Sequence, residues 1–552
     1  MTADVGEPPR LHGRPLEVAP GETLAQALTR RGLALRGRSI RYHRPRAPFC
    51  GIGACSQCLV RVNGQPNVRA CRFTPGGGDA ITVENGWPSA PIDLLSALDL
   101  LFYRGIDTLH GFRWPRFATP LYHRVVRRLA GFGRLAVASA GQRAGAASVV
   151  DTEIVVVGGG VSGRACVDRL TAAGRAAHLV DRSVPVTSPP SANTWPGYTV
   201  DFLPPPSASE SRRFTLLATR EDGSGLLLRS SNVVVASGGF DANLVFDGND
   251  RPGVMTADGA EAFSGPTGSP PFRQAVLFGG EERVGEILER FGAHVEAVVA
   301  PGPIVPSVAE RAARLEVPLY PRTLLLGAGG RSRVRTVHLR PRGEGQPFDL
   351  AADAIVLAHR RLPASQLFFQ AGARTEWRAG PAAYYPVLTS SVETSVPGLY
   401  AAGEAAGFVG RAGAVRSGEA TADLLLGRTP ADPGPRVEAD RPGEMWGYLR
   451  EIRPSLLRRR RPVICPCEDV LLSEVEDAHQ AGYRGMEVVK RYTGVGTGLC
   501  QGRYCLPDTL LWLSILEDRP PADVGYITQR PPVHPAPLDA LAAMPLPDPE
   551  AP

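Results

Sequence analysis

The sequence predicts a multidomain chain that combines α/β and α+β architecture, and three observations predict it. Four cysteines fall within the 22 residues "CGIGACSQCLVRVNGQPNVRAC" (Cys50–Cys71). Further along, a glycine-rich turn from Gly158 to Gly163 joins an unbroken apolar run to a helix. A second group of four cysteines, Cys465, Cys467, Cys500 and Cys505, brackets a short helical segment near the C-terminus. At 552 residues the chain is long enough to bury several separate cores.

The first element is an N-terminal domain at residues 1–88. Its "RPLEVAPGETLAQALTRRG" reads as a strand, a turn at Pro20-Gly21, and a helix with Leu24, Ala27 and Leu28 on one face. After Cys58, "LVRVNGQPNV" turns Val60 and Val62 inward and reverses at Asn63-Gly64, a hairpin that returns Cys71 to the other three cysteines. Three readings of this set compete. Disulfides suit small, cysteine-dense secreted domains, and "MTADVGEPPRLHGRPLEV" lacks the apolar core of a signal peptide. Structural zinc usually pairs two short-spaced knuckles, which this spacing does not. C-x4-C-x2-C followed by a later cysteine is the ligand run of a plant-type 2Fe–2S ferredoxin. It predicts Cys50, Cys55, Cys58 and Cys71 as ligands in a β-grasp ferredoxin domain. An anionic cluster needs N–H groups turned toward its sulfurs, the role expected of Gly51 and Gly53.

Residues 89–150 read as a helical connector, and residues 151–455 as a nucleotide-binding body. "DTEIVVVGGGVSGRACVDRLTAAGRAAHLVDR" is a strand, a glycine turn, a helix and a second strand. Gly158, Gly160 and Gly163 make G-x-G-x-x-G, with Gly159 inside it, and Asp181 ends the next strand. The glycines permit a tight turn, close approach of a pyrophosphate and helix–strand packing. The helix N-terminus faces the anion, and the distal acid takes ribose hydroxyls. "TSVPGLYAAGEAAG" (Thr394–Gly407) then ends a strand on Gly403-Glu404, the element that closes the flavin site in two-dinucleotide flavoenzymes, where Asp is the usual acid. With "NVVVASGG" (Asn232–Gly239) and "DAIVLAHRRLPA" (Asp353–Ala364), the pieces stand in the order of a two-dinucleotide-type, Rossmann-like flavoprotein domain. FAD is the expected ligand, with NAD the alternative at the same fingerprint.

A second nucleotide unit is nested at about 274–362. "QAVLFGGEERVGEILERFGAHVEAV" keeps the strand–turn–helix–strand rhythm with Gly279, Gly280 and Gly285 but not the fingerprint spacing, and Glu281 and Glu282 would repel a pyrophosphate at the helix N-terminus. It reads as a structural relic rather than an NAD(P)H site. The segment from Asp181 to Asn232 is short and proline-rich, a flavin domain with a reduced excursion.

Residues 456–525 hold the second cysteine set: Cys465 and Cys467 as C-x-C, then Cys500 and Cys505 in "GTGLCQGRYC". Between them Ser473 and Glu476 read as a capping box, Val475 and Ala478 as the apolar side, and Gly482 as the stop. Four-cysteine zinc is the alternative here. C-x-C is an awkward bite for tetrahedral zinc, and Gly494, Gly496 and Gly498 resemble N–H donors for sulfur. A small helical BFD-like domain with a second 2Fe–2S cluster is therefore expected. Cys166 falls on an apolar helix position as a buried, inert thiol. Residues 526–552 form a proline-rich tail.

Composition narrows the class. The hydrophobic share of 43% and charged share of 21% are those of a soluble enzyme, and the mean hydropathy is −0.09. The apolar run "IDLLSALDLLFY" (Ile92–Tyr103) is too short and too charged to span a bilayer. A net charge of +6 with scattered arginines does not suggest nucleic acid. "RRRR" (Arg458–Arg461) reads as a solvated linker, with a docking face for an acidic partner as the alternative. Free cysteines reserved for clusters imply a reducing, cytoplasmic location.

The whole chain resembles the alpha subunit of heterotetrameric sarcosine oxidase and its relatives, hydrogen cyanide synthase, opine oxidases, and dye-linked proline and hydroxyproline dehydrogenases. The resemblance is carried by "RSIRYHRPR" (Arg38–Arg46), "ENGWPSAPIDLL" (Glu84–Leu95), the Gly158 fingerprint, "DGNDRPGVM" (Asp247–Met255) and "CEDV…CQGRYC". It implies an electron-transfer subunit whose amine is oxidised on a separate, glycine-oxidase-like beta subunit with its own FAD, and a downstream electron acceptor. It also implies an FMN phosphate held by the arginines around His43 at an alpha–beta interface, which makes "RSIRYHRPRAPFC" the expected contact surface; a solvated basic loop is the plainer reading of His43. Many sarcosine oxidase alpha chains lack the ferredoxin cysteines that this chain has, and they continue after a segment like "RPPVHPAPLDALAA" (Arg530–Ala543) into a folate-binding domain that is not expected here. The sequence offers no candidate acid–base pair for amine oxidation, so no catalytic residue is assigned. Two other classes compete: a self-sufficient NAD(P)H-dependent reductase, and a scaffold with an empty flavin site.

Overall fold

The computed structural model describes residues 7–32, 37–83, 85–90, 92–101, 117, 119–120, 147–182, 194–203, 214–221, 223–343, 345–437, 444–459 and 461–543. Most of the expected connector at 89–150 lies outside them, as do the end of the tail and the side chains of Arg458, Arg459 and Arg460. The chain divides into two compact units. One comprises residues 1–137, 241–360 and 444–526; the other comprises 138–240, 361–443 and 527–552. No described helix is long and apolar enough to cross a membrane.

The first unit begins with a five-stranded sheet in the order Arg14–Pro15, Arg10–Leu11, Ala80–Val83, Leu59–Val62, Gln65–Arg69. Arg10–Leu11 runs parallel to Ala80–Val83 and the other pairs are antiparallel, the β-grasp arrangement. Leu24–Arg30 forms the grasped helix, started by a reciprocal cap in which the Thr23 hydroxyl accepts the Gln26 N–H and Gln26 accepts the Thr23 N–H. Leu24 and Leu28 are buried in one cluster with Val60, Val62 and Ile81, and Ala27 is also buried. At the hairpin tip Asn63 and Gly64 both take left-handed backbone (φ 50° and 84°), which matches the twist of the two strands.

A parallel sheet follows in the same unit, ordered Val254–Thr256, Ala354–Leu357, Ala275–Phe278, Val295–Val299, Leu319–Tyr320. Its central strands are continuous apolar runs because both faces are covered, and Val276, Leu277, Ile355 and Val356 are fully buried. Each such side chain contributes ~1.5–3 kcal/mol relative to exposure. The C-terminal part is helical: Glu444–Arg459, Leu472–Gln480, Met486–Thr493 and Leu506–Glu517, with a small hairpin of Val463–Cys465 and Val470–Leu471.

The cap of the Leu472–Gln480 helix differs from the expectation. Glu474, not Glu476, reaches back to the Leu471 N–H (2.8 Å). Glu476 faces the other way and accepts from Trp512 Nε1 (3.0 Å) and Arg453 (3.1 Å). The N-cap is Leu471, two residues before Ser473, and that offset moves the capping acid from Glu476 to Glu474.

The second unit is built on a twisted sheet in the order Thr194–Pro196, His178–Asp181, Ala147–Val157, Gly225–Val235, Phe214–Thr219, Thr199–Phe202. Leu399–Ala401 also pairs, parallel, with the end of Gly225–Val235. Ile154, Val155, Val156, Val233, Val234 and Val235 have no exposed surface. Helices Val161–Ala172 and Gly410–Leu425 pack together so closely that a Cβ on Gly418 would lie 2.1 Å from the Ser162 carbonyl oxygen. Arg169 locks them with a forked pair to Asp423 (2.7 and 2.8 Å).

Candidate metal centres and nucleotide site

The cysteine loop Cys50–Cys58 leads into the strand Leu59–Val62 of the first unit, and Cys71 returns just after Gln65–Arg69. All four sulfurs are buried. Gly51 and Gly53 take φ of 65° and 70°, the left-handed backbone that wraps the loop. Burial alone would raise the Cys50 thiol. Hydrogen bonds with the Cys55 and Cys71 thiols, and the N–H groups of Cys55 and Ala54, instead hold it well below its ordinary value. Cys71 also reaches Cys58. A buried sulfur that collects backbone donors is a cradle for an anionic thiolate.

The second set shows its own pairing. Cys467 bonds to Cys500, and Cys465 to Cys505. The bond with Cys500 is the largest influence on Cys467. Burial opposes it, the Ser56 hydroxyl and the N–H groups of Ser56 and Cys500 assist it, and the thiol is held down to about 7. Among the described residues, no three or more His, Cys, Asp or Glu side chains gather as one ion would require. Cys166, by contrast, is buried without such company, and desolvation pushes its thiol up to about 12.

The two cysteine loops are docked on each other within the first unit. Gln57 Nε2 donates to the Pro466 carbonyl (3.0 Å), Arg46 bonds both Gln57 Oε1 (3.2 Å) and Asp469, and Asp469 accepts the Arg41 N–H (2.9 Å). Phe49 meets Tyr504 edge to face at 5.5 Å.

The basic loop before Cys50 does not form the outward contact surface expected of it. Arg41 is paired with Glu474 (2.7 Å), and Arg44 with Asp99 (2.9 Å) and Asp250 (3.4 Å). His43, in left-handed backbone, holds Asp93 through Nδ1 at 3.0 Å. Each cation meets a carboxylate from a distant part of the chain, so the loop is drawn inward, with Tyr42, His43, Arg44 and Arg46 buried.

In the second unit the fingerprint residues converge. Gly158 (φ 113°) sits so close to the neighbouring strand that a Cβ would lie 2.2 Å from the Ala236 carbonyl oxygen. A Cβ on Gly163 would lie 1.9 Å from the Gly158 carbonyl oxygen, and one on Gly160 would meet nothing within 4 Å. Gly160 caps the helix Val161–Ala172 and faces open space at its N-terminus, where Ser162 Oγ is buried without a partner among the described residues. Asp181 Oδ2 accepts the Gly159 N–H at 2.6 Å. Gly403, with φ 69°, lies against Ser162 and donates to Ser417 Oγ (2.9 Å). Glu404 lies against Gly239 and is forked onto Arg361 (2.5 and 3.0 Å). The open glycine, the orphaned hydroxyl and the helix N-terminus fit a dinucleotide pyrophosphate. Arg361 stands in the quoted "HRRLPA", but its pairing with Glu404 carries no local signal. Ser417 and Ser56 carry none either.

The nested unit in the first body differs. Glu282, at the start of the helix Glu282–Phe291, is taken by Ser307 (2.7 Å) and Arg311, and a Cβ on Gly280 would lie 2.5 Å from the Pro303 carbonyl oxygen. The helix N-terminus thus faces carboxylate and packed backbone.

Two family models match the chain: a 2Fe-2S iron-sulfur cluster binding domain at residues 10–86, and the sarcosine oxidase A3 domain at residues 459–544. The alpha subunit of sarcosine oxidase from Rhizobium meliloti (strain 1021) is 27% identical, over 96% of this chain and 57% of its own length. An opine oxidase subunit from Agrobacterium tumefaciens (strain Ach5) is 27% identical, over 58% of this chain and 71% of its own. The crystal structure of L-proline dehydrogenase from P. horikoshii shares the fold, with a TM-score of 0.65 at 18% identity and 98% of each chain covered. The chain spans little more than half the length of the first of these relatives. It is an N-terminal 2Fe–2S-binding domain fused to a body similar to the alpha subunits of sarcosine and opine oxidases, with a Rossmann-like dinucleotide fold within that body.

Proposed function

We propose that the chain is the FAD-binding, iron–sulfur electron-transfer subunit of a heteromeric amine or amino-acid dehydrogenase or oxidase. The observation that carries this reading is the pairing of eight buried cysteine sulfurs in two sets, on a chain that also has one open dinucleotide cradle. Cys50, Cys55, Cys58 and Cys71 would hold one 2Fe–2S cluster, and Cys465, Cys467, Cys500 and Cys505 a second. Bound FAD would supply two-electron exchange and the clusters one-electron exchange.

The chain's own residues do the holding. Gly160 and Ser162 leave room and donors for the pyrophosphate, and Asp181 fixes the turn from the ribose side. Gly403 brings Glu404 to the same edge, where Arg361 neutralises it. NAD remains the alternative ligand of this cradle. The amine would be oxidised on a separate beta subunit of glycine-oxidase-like type, and an external acceptor would take the electrons. A reducing cytoplasm suits the free thiols. An FMN phosphate on the Arg38–Arg46 loop is a poorer fit, because Arg41, Arg44 and Arg46 already face carboxylates. A stand-alone NAD(P)H reductase is disfavoured by Glu282 at the nested helix start.

Anaerobic purification followed by metal, sulfide and flavin analysis tests this. The expectation is about four iron and four acid-labile sulfides per chain, with FAD released on acid treatment. Cys55→Ser should lose one cluster and Cys500→Ser the other. Zinc at the C-terminal set, or a chain that retains no dinucleotide, would overturn the assignment.

A further inference from the structure

The ligand loop of a cluster domain is where another protein can come closest to the cluster. In this chain the Cys50–Cys58 loop is covered from two sides by its own polypeptide. On one side lies the helix Ala257–Ser264, which follows the strand Val254–Thr256 of the parallel sheet. The Phe49 carbonyl, immediately before Cys50, accepts the Thr256 N–H (3.1 Å), and a Cβ on Gly259 would stand 2.1 Å from its oxygen. A Cβ on Gly51 would come within 2.4 Å of Ala262 Cβ, and Gln26 Nε2 donates to the Ala262 carbonyl (2.8 Å). Phe263 of the same helix belongs to the core of the β-grasp domain, clustered with Leu24, Leu28, Val60 and Ile81. On the other side lies the C-terminal cysteine loop. Gln57 reaches the Pro466 carbonyl (3.0 Å), Arg46 joins Gln57 to Asp469, and Phe49 packs on Tyr504.

We infer that the ferredoxin-like domain is a built-in part of this unit rather than a detachable carrier. Its cysteine loop is a closed internal interface, on which no separate electron carrier docks. A β-grasp core that includes Phe263 loses apolar burial when the domain lifts away. Backbone meets backbone at Gly51 and Gly259, so the joint is packed like an interior and has no side chain to swing aside. Arg46 and Asp469 are buried and satisfy one another only while the loop is seated. An outside protein, the partner subunit of the proposed complex included, must then exchange electrons through another face. The closure concerns the N-terminal cluster domain and is the same whatever the C-terminal cysteines bind.

Hydrogen–deuterium exchange on the whole chain, read by mass spectrometry, tests the closure. In wild type the backbone from Phe49 to Cys58 should exchange as slowly as the strands Leu59–Val62 and Ala80–Val83. Gly259→Ala is the probing variant. Alanine is the better helix former, so the added methyl harms the joint and not the helix that carries it. It should speed exchange of the loop about tenfold while both strands keep their protection. Gln57→Leu should open the Pro466 side in the same way. A spectroscopic readout follows on dithionite-reduced Cys500→Ser, in which the N-terminal centre stands alone. A soluble dysprosium chelate should scarcely speed the electron-spin relaxation of that centre, and should speed it strongly once Gly259→Ala is added. A wild-type loop that exchanges as fast as the Asn63-Gly64 hairpin tip overturns the closed interface. So does strong relaxation by the chelate while Gly259 is intact. Unchanged loop exchange in both Gly259→Ala and Gln57→Leu overturns the joint assigned to these residues. Should Gly259→Ala unfold the domain, seen as exchange spreading to both strands, wild type and Gln57→Leu decide.

Discussion

Asp181 closes on the glycine turn: its Oδ2 accepts the Gly159 N–H at 2.6 Å, which makes the acid and the fingerprint one hydrogen-bonded piece. The bond is charge-assisted and spans the ends of two adjacent strands, so it fixes the loop before any ligand arrives. Asp181→Ala should lose ~1.5–3 kcal/mol of this support and weaken dinucleotide binding at least tenfold. A fluorescence titration of the deflavinated chain with FAD measures it. Unaltered affinity would mean that the turn is held by its glycines alone.

Gly160 and Gly163 should separate binding from folding. At Gly160 the backbone is ordinary (φ −71°) and a Cβ meets nothing within 4 Å, so Gly160→Leu should leave the melting temperature nearly unchanged while its side chain fills the pyrophosphate space. At Gly163 a Cβ would overlap the Gly158 carbonyl, so even alanine should lower the melting temperature. Gly280 is no neutral control for this pair, because Pro303 stands against it.

What could be read from the sequence was local. The runs from Cys50 to Cys58 and from Gly158 to Gly163 announce themselves by spacing, because a few consecutive residues must form one loop. Asn63-Gly64 did so by backbone preference. The partners of Arg41, Arg44 and Arg46 lie on segments distant in the chain, so nothing local distinguishes an inward basic loop from a solvated one. Ser56 was hidden for the same reason: its sulfur partner is Cys467 rather than the cysteines beside it. Glu474 and Glu476 show the finer limit, where a cap displaced by two residues passes the role from one acid to the other.

Glu22 gives the ferredoxin-like domain an acid-sensitive contact. Its carboxylate bonds to Arg30 (2.8 and 3.1 Å) and to the Ala19 N–H (2.8 Å), and the Arg30 bond chiefly holds it below the ordinary value of 4.5 despite burial. A folded-state value below the unfolded one means stabilisation that is fully present above 4.5 and lost as the pH falls through the folded value. Glu22→Gln should therefore be less stable than wild type at neutral pH, with the gap closing on acidification below pH 4.5. Denaturant unfolding of both chains at a series of pH values checks it, and a gap that widens in acid would contradict the sign.

The helix that follows Cys505 is anchored by a buried ion pair, and the chemistry of that pair sets the last prediction. Arg360 Nη2 bonds Asp508 Oδ1 at 2.6 Å, with both side chains almost wholly buried. Arg360 Nε and Nη1 and Asp508 Oδ2 find no other partner among the described residues. Burial pushes the Asp508 carboxyl above its ordinary 3.8, and Arg360 pulls it back only in part. Because the folded value lies above the unfolded one, ionised Asp508 burdens the fold at neutral pH, and the burden is relieved as the pH falls through the folded value. Removing the cation alone leaves that charge without compensation, so Arg360→Met should cost ~3–5 kcal/mol at neutral pH. The deficit relative to wild type should shrink in acid, where the orphaned carboxyl takes up a proton. Arg360→Met combined with Asp508→Leu should recover most of the loss, since an apolar pair of similar volume pays no desolvation. Chemical denaturation of the three chains at neutral and mildly acidic pH measures all of this. A double variant no more stable than Arg360→Met would show that the pair is required for packing, not merely tolerated as a charge.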